Sequence, residues 1–73
     1  MFDFSKLIGR IVEKFGTRKA FCEKVGISEP ALSYRLSNKT SFSMEEIHRI
    51  IQPDCLDIVP AEIGVYFFTP KVR

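Results

Sequence analysis

Seventy-three residues, 45% of them apolar, suffice for one domain with one small core and are too apolar for a disordered chain. No run approaches the roughly 20 apolar residues of a membrane span, and the opening residues lack the apolar stretch of an export signal, so a cytosolic protein is expected. The net charge is +2, unevenly placed: residues 1–40 carry eight Lys/Arg against four acids, net +4, and residues 41–73 carry three against five, net −2, and a positive first half suits a phosphate backbone.

Phe4, Leu7, Ile8, Ile11, Val12 and Phe15 recur at helical spacing and predict a first helix with one apolar stripe. Asp3 or Ser5 is expected to cap its start and Gly16 to end it. Gly9, inside, either allows close packing or is simply tolerated.

Residues 17–36 predict two short helices meeting at a tight corner. Thr17 caps the first, whose inward face carries Phe21, Cys22 and Val25. Gly26 supplies the positive φ on which a helix ends, and Ile27 turns back into the core. Ser28 caps the second helix, Pro30 is tolerated in its first turn, and Leu32 and Leu36 form its inward stripe. Ser28, Glu29, Pro30, Ser33 and Tyr34 point the other way. This is the pattern of a helix-turn-helix, in which the outward N-terminal part of the second helix reads base edges in the major groove. An ordinary helical hairpin with a solvated outer face is the alternative.

Residues 37–41, Ser-Asn-Lys-Thr-Ser, predict a loop. Asn38, Lys39 and Thr40 there are either donors to phosphate oxygens or solvated. Ser43 and Glu46 form a capping box, with Phe42 and Ile47 as its hydrophobic staple. Met44, Ile47, Ile50 and Ile51 are the expected buried stripe of the helix that follows, stopped near Gln52 by Pro53. His48 falls outside, without a nucleophile or carboxylate to work with.

Residues 54–57 read as a connector and residues 60–66 as a short helix, weakened by Gly64. The bulky run Val65-Tyr66-Phe67-Phe68 is either helix leading into an extended tail or a short strand. Its aromatics serve as a lid on the core, as a homodimer contact, or as both.

Cys22, Cys55 and the single His48 lack metal-ligand spacing, so no metal is expected and both thiols are expected reduced and partly buried. With no Gly-rich phosphate loop and no nucleophile–base pair, neither an enzyme nor a bound cofactor is expected. The predicted fold is all-α: a compact domain of four or five helices, residues 1–73, with a helix-turn-helix and a short extended C-terminal tail.

The chain resembles the small phage regulators with a Cro-like helix-turn-helix, and among them the modulator-of-repression (antirepressor) proteins of Gram-positive phages. The resemblance rests on the opening Met-Phe-Asp-Phe-Ser-Lys-Leu-Ile-Gly-Arg-Ile, on Phe-Gly-Thr-Arg-Lys-Ala-Phe, on Gly-Ile-Ser-Glu-Pro-Ala-Leu-Ser-Tyr-Arg-Leu-Ser-Asn-Lys and on the ending Tyr-Phe-Phe-Thr-Pro-Lys-Val. It implies a regulator of the lysogeny switch in the cytoplasm of a bacterial host, at the nucleoid. Arg18 takes the place where many relatives hold a glutamine on a phosphate. Arg35 stands where the superfamily often has an apolar residue, so its stem must snorkel or lie against the core edge. Glu29 and Pro30 replace the usual amides and hydroxyls.

Two functions follow as expectations. In the first, a dimer sets its second helices into major grooves about 34 Å apart. Arg18, Lys19 and Lys39 lie on phosphates, with Thr17, Asn38 and Thr40 at the same backbone side. Ser28, Glu29, Ser33 and Tyr34 read bases, and Pro30 could touch only a thymine methyl. The mixed surface of Glu29, Pro30, Tyr34 and Arg35 suits a protein partner as well. In the second, the same surface binds the partner repressor's DNA-binding domain, and Glu29 pairs with a basic residue that would otherwise read DNA.

Overall fold

The computed structural model describes residues 1–72 and is all-helical, as the sequence predicts. In chain order come α1 (Ser5–Phe15), α2 (Arg18–Val25), α3 (Glu29–Leu36), α4 (Met44–Ile50), a 3₁₀ turn (Pro60–Glu62) and α5 (Ile63–Phe67). One core unites them: Leu7 and Ile11 from α1, Phe21, Cys22 and Val25 from α2, Leu32 from α3, Ile50 from α4 and Phe67 from α5. Phe4 and Ile27 close it from the flanking turns.

The expected helix boundaries hold where a specific group makes them. Thr17 accepts the Ala20 backbone N–H at 3.2 Å, and Ser28 accepts that of Ala31 at 3.2 Å. The Ser43–Glu46 box is closed in both directions, at 3.1 and 3.0 Å. Gly26 leaves α2 at φ 84°, and the N–H groups of Gly26 and Ile27 both donate to the Cys22 carbonyl, which turns Ile27 inward. A Cβ on Gly26 would meet nothing within 4 Å, so only backbone strain opposes it. Gly26→Ala is therefore expected to cost about 1 kcal/mol in urea unfolding. A loss several times larger would mean that the space beside Gly26 is not open.

Several expectations are corrected. The N-cap of α1 is Phe4, without a side-chain cap; Asp3 instead accepts from the Ser5 backbone N–H and hydroxyl. Val12 is exposed, because it sits about 80° around the helix from Phe4, at the edge of the stripe. Nothing lies near a Cβ built on Gly9, so no close packing uses it. Met44 is 88% exposed: Ile50 is the centre of the buried face of α4, and Met44 lies about 120° from it. Helix α4 ends at Ile50, earlier than Pro53 requires.

The segment 54–57 is not a mere connector. Cys55 and Leu56 are core residues, with Ile58 beside them. Arg10 pins the backbone here, donating to the carbonyls of Leu56 at 2.9 Å and Asp57 at 3.1 Å, and Lys24 reaches Asp54 at 3.1 Å. Both cysteines are free and buried. Burial pushes both thiols up, and the charge of Glu29 adds to the effect at Cys22.

The aromatic run at the C-terminus is helix rather than strand. Phe67 is fully buried and edge-on to Phe42 at 5.3 Å, while Phe68 remains 50% exposed. Beyond α5 the chain runs extended. Phe2 and Pro70 form an isolated antiparallel bridge, and no strand longer than this occurs among the described residues.

Candidate binding surface

Helices α2 and α3, joined by residues 26–28, present the surface on which the sequence places most of its functional residues. Thr17 is at the N-cap of α2, with Arg18 and Lys19 exposed in its first turn. Ser28 is at the N-cap of α3, and Glu29, Pro30, Ser33 and Tyr34 are exposed along it. Lys19, Ser28 and Glu29 come together around a groove of about 390 Å³ between the two helices, where Glu23 adds a second carboxylate. Glu23 is a lining residue that the sequence pattern did not single out, since nothing separates it from any other exposed helical glutamate.

Two expected members leave this surface. Arg35 turns inward: its Nε and Nη2 donate to the two Glu46 carboxylate oxygens at 2.9 and 2.8 Å, and its Nη1 donates to the Ala31 carbonyl at 3.0 Å. The two side chains keep 19% and 12% of their exposure, so the fork-to-carboxylate geometry works in a partly dried site. Burial alone would raise the Glu46 pKa, but the Ser43 backbone N–H and Arg35 together outweigh it and hold the carboxyl below its ordinary value.

Asn38, half-buried, is turned to the first residues of the chain. Its Oδ1 accepts from the Phe2 N–H at 2.9 Å, and its Nδ2 donates to the Phe2 carbonyl at 3.0 Å. Lys39 lies with its Nζ 5.5 Å from the centre of the Tyr34 ring, a contact worth about 0.5–1 kcal/mol at an exposed site. Thr40 is exposed, its N–H directed to the Tyr34 carbonyl at 3.3 Å.

The charge map changes with these contacts. Of the eight cations in residues 1–40, Arg10, Lys24 and Arg35 form ion pairs. Arg18, Lys19 and Lys39 form none among the described residues. On α3 itself, with Arg35 committed to Glu46, the outward face carries Glu29 as its charged side chain.

A family model described as "Protein of unknown function (DUF739)" matches residues 1–70. The chain belongs to this family. A search of the curated proteins found no match. The matched DUF739 region includes the whole α2–α3 surface, the Arg35–Glu46 pair and the contact between Asn38 and Phe2. In this DUF739 chain no group of three or more His, Cys, Asp or Glu among the described residues could hold a metal ion. No helix among them is long and apolar enough to cross a membrane.

Proposed function

We propose that the chain is a phage-type regulator of a lysogeny switch, and that its α2–α3 surface binds the DNA-binding domain of a partner repressor and modulates its hold on DNA. The observation that carries this reading is the outward face of α3. With Arg35 folded back onto Glu46, that face offers one carboxylate, two hydroxyls, a proline and a half-exposed tyrosine. A helix that reads bases usually presents guanidinium or amide groups, whereas a carboxylate and an exposed aromatic on one short helix suit the basic DNA-reading surface of another protein.

Glu29→Ala and Tyr34→Ala are each expected to weaken binding to the repressor's DNA-binding domain at least tenfold, about 1.4 kcal/mol, measured by calorimetry. Rising salt should weaken the wild-type complex and affect Glu29→Ala less. If both variants bind as tightly as the wild type, this surface is not the contact.

A second reading, operator DNA as the direct ligand, is favoured by Arg18, Lys19 and Lys39. Arg18 and Lys19 stand in the first turn of α2, where cations oppose the helix dipole at a cost of a few tenths of a kcal/mol each. Phosphate contacts would give them a purpose. Under this reading a dimer, in contact through the exposed Phe68 and its neighbours, binds DNA of its own regulatory region without the repressor and loses affinity steeply with salt. Light scattering and anisotropy on the same samples separate the two. A chain that barely binds DNA by itself yet forms a stable complex with the repressor supports the first reading.

A further inference from the structure

We infer that Asn38 is the positioning residue of the α3 surface: its amide clamps the first residues of the chain onto the end of α3 and so holds Lys39 over the Tyr34 ring. Asn38 follows the C-cap residue Ser37 and adopts φ 67°. From there its N–H donates to the Arg35 carbonyl at 3.1 Å, and the Lys39 N–H donates to the Tyr34 carbonyl at 2.9 Å. That is a Schellman end to the helix, in which asparagine is the common substitute for glycine. The backbone alone would be served as well by glycine.

The side chain does something that glycine cannot. Its two polar groups take both the N–H and the carbonyl of Phe2, as a neighbouring strand's peptide would. The groups flanking Phe2 are taken by the other end of the chain: Asp3 N–H donates to the Thr69 carbonyl at 2.8 Å, and Lys71 N–H donates to the Met1 carbonyl at 3.0 Å. Phe2 also packs edge-on against Phe68, with ring centres 5.5 Å apart. Residues 1–3 thus lie between the 69–71 segment and Asn38, and Lys39 follows Asn38 directly. An exposed contact between an ammonium and a tyrosine ring is too weak to fix a lysine by itself. The Schellman bond brings the Lys39 backbone to Tyr34, and the clamp on the preceding side chain stiffens the segment from which the Lys39 side chain leaves.

Asn38→Gly separates the two roles, because glycine keeps the positive φ and removes only the clamp. By NMR, the Phe2 amide is expected to lose at least tenfold in protection from exchange, with the helical circular dichroism unchanged. The Lys39 methylene protons next to Nζ should lose most of their upfield ring shift, with Tyr34→Ala supplying the zero of that scale. Asn38→Asp keeps the acceptor, loses the donor and should lie between.

The consequence for binding rests on the proposed operator-DNA reading, which Lys39 favours. Under it, Asn38→Gly should weaken binding to DNA of the chain's own regulatory region about threefold, and Asn38→Gly with Lys39→Ala should bind no more weakly than Lys39→Ala alone. A Lys39 shift that survives Asn38→Gly overturns the proposal, whether or not the Phe2 amide becomes labile. If instead Lys39→Ala leaves binding unchanged, Lys39 is not part of the regulatory contact, and the NMR result still decides what Asn38 does.

Discussion

Replacing Phe67 by alanine is expected to remove about 3–5 kcal/mol of stability. Phe67 is 1% exposed and belongs to a helix of five residues. So short a helix has little stability of its own, so α5 exists because its aromatic side chain fills the core. The ring packs edge-on to Phe42, which is in turn edge-on to Phe4 at 5.6 Å. Removing it breaks one end of an aromatic row that joins α5, the loop before α4 and the start of α1. For a domain of this size each lost kcal/mol lowers Tm by roughly 4–8 °C, so the variant should melt far below the wild type in a thermal scan followed by circular dichroism. Phe68→Ala is the control: that ring is half exposed, and its removal should cost about 1 kcal/mol. Equal losses at the two positions would mean that Phe67 is not the residue that closes the core.

Arg35→Ala is expected to cost about 2 kcal/mol, less than the 3–5 of a fully dry pair because both side chains retain some contact with water. The change strands the Glu46 carboxylate with only the Ser43 N–H at 3.0 Å and frees the Ala31 carbonyl. The folded pKa of Glu46 lies below its ordinary 4.5, so its contribution is full above that value and fades as pH falls through the lowered folded one. Urea unfolding from neutral pH down through the carboxylate range should therefore show a wild-type loss on the acid side that Arg35→Ala diminishes. Glu46→Gln keeps an acceptor for Ser43 and should destabilise less than Arg35→Ala. If Arg35→Ala leaves stability intact and weakens ligand binding instead, the arginine works as a surface contact and not as a tie between α3 and α4.

Most of the fold was legible because its boundaries are set by neighbouring residues. Thr17, Gly26, Ser28 and the Ser43–Glu46 box act over one to four positions, and each ends or starts a helix where the local pattern says it should. The apolar stripes were legible at their centres and misleading at their edges, as Val12 and Met44 show. Periodicity tells which residues share a face, but where the neighbouring helices end decides how much of that face is covered. The binding surface divided in the same way. The exposed run of Ser28, Glu29, Pro30, Ser33 and Tyr34 follows from the helical phase of α3.

The partners of Arg35 and Asn38 do not follow from phase. Glu46 is 11 residues from Arg35, and Phe2 is 36 residues from Asn38. A guanidinium on a helix is assigned outward by default, and only the placement of α4 beside α3 gives it a carboxylate to turn to. The connector at 54–57 likewise turned out to be core because Arg10 and Lys24, more than 25 residues earlier, hold it down. The sequence by itself therefore determined the helices, their caps and the orientation of α3, since these depend on hydrogen bonds and hydrophobic phase within a few residues. The tertiary structure alone decided which charges remain on the surface: each ion pair that removes a cation from it, apart from Arg10 with Glu13 and Arg49 with Glu45, joins residues that only folding brings together.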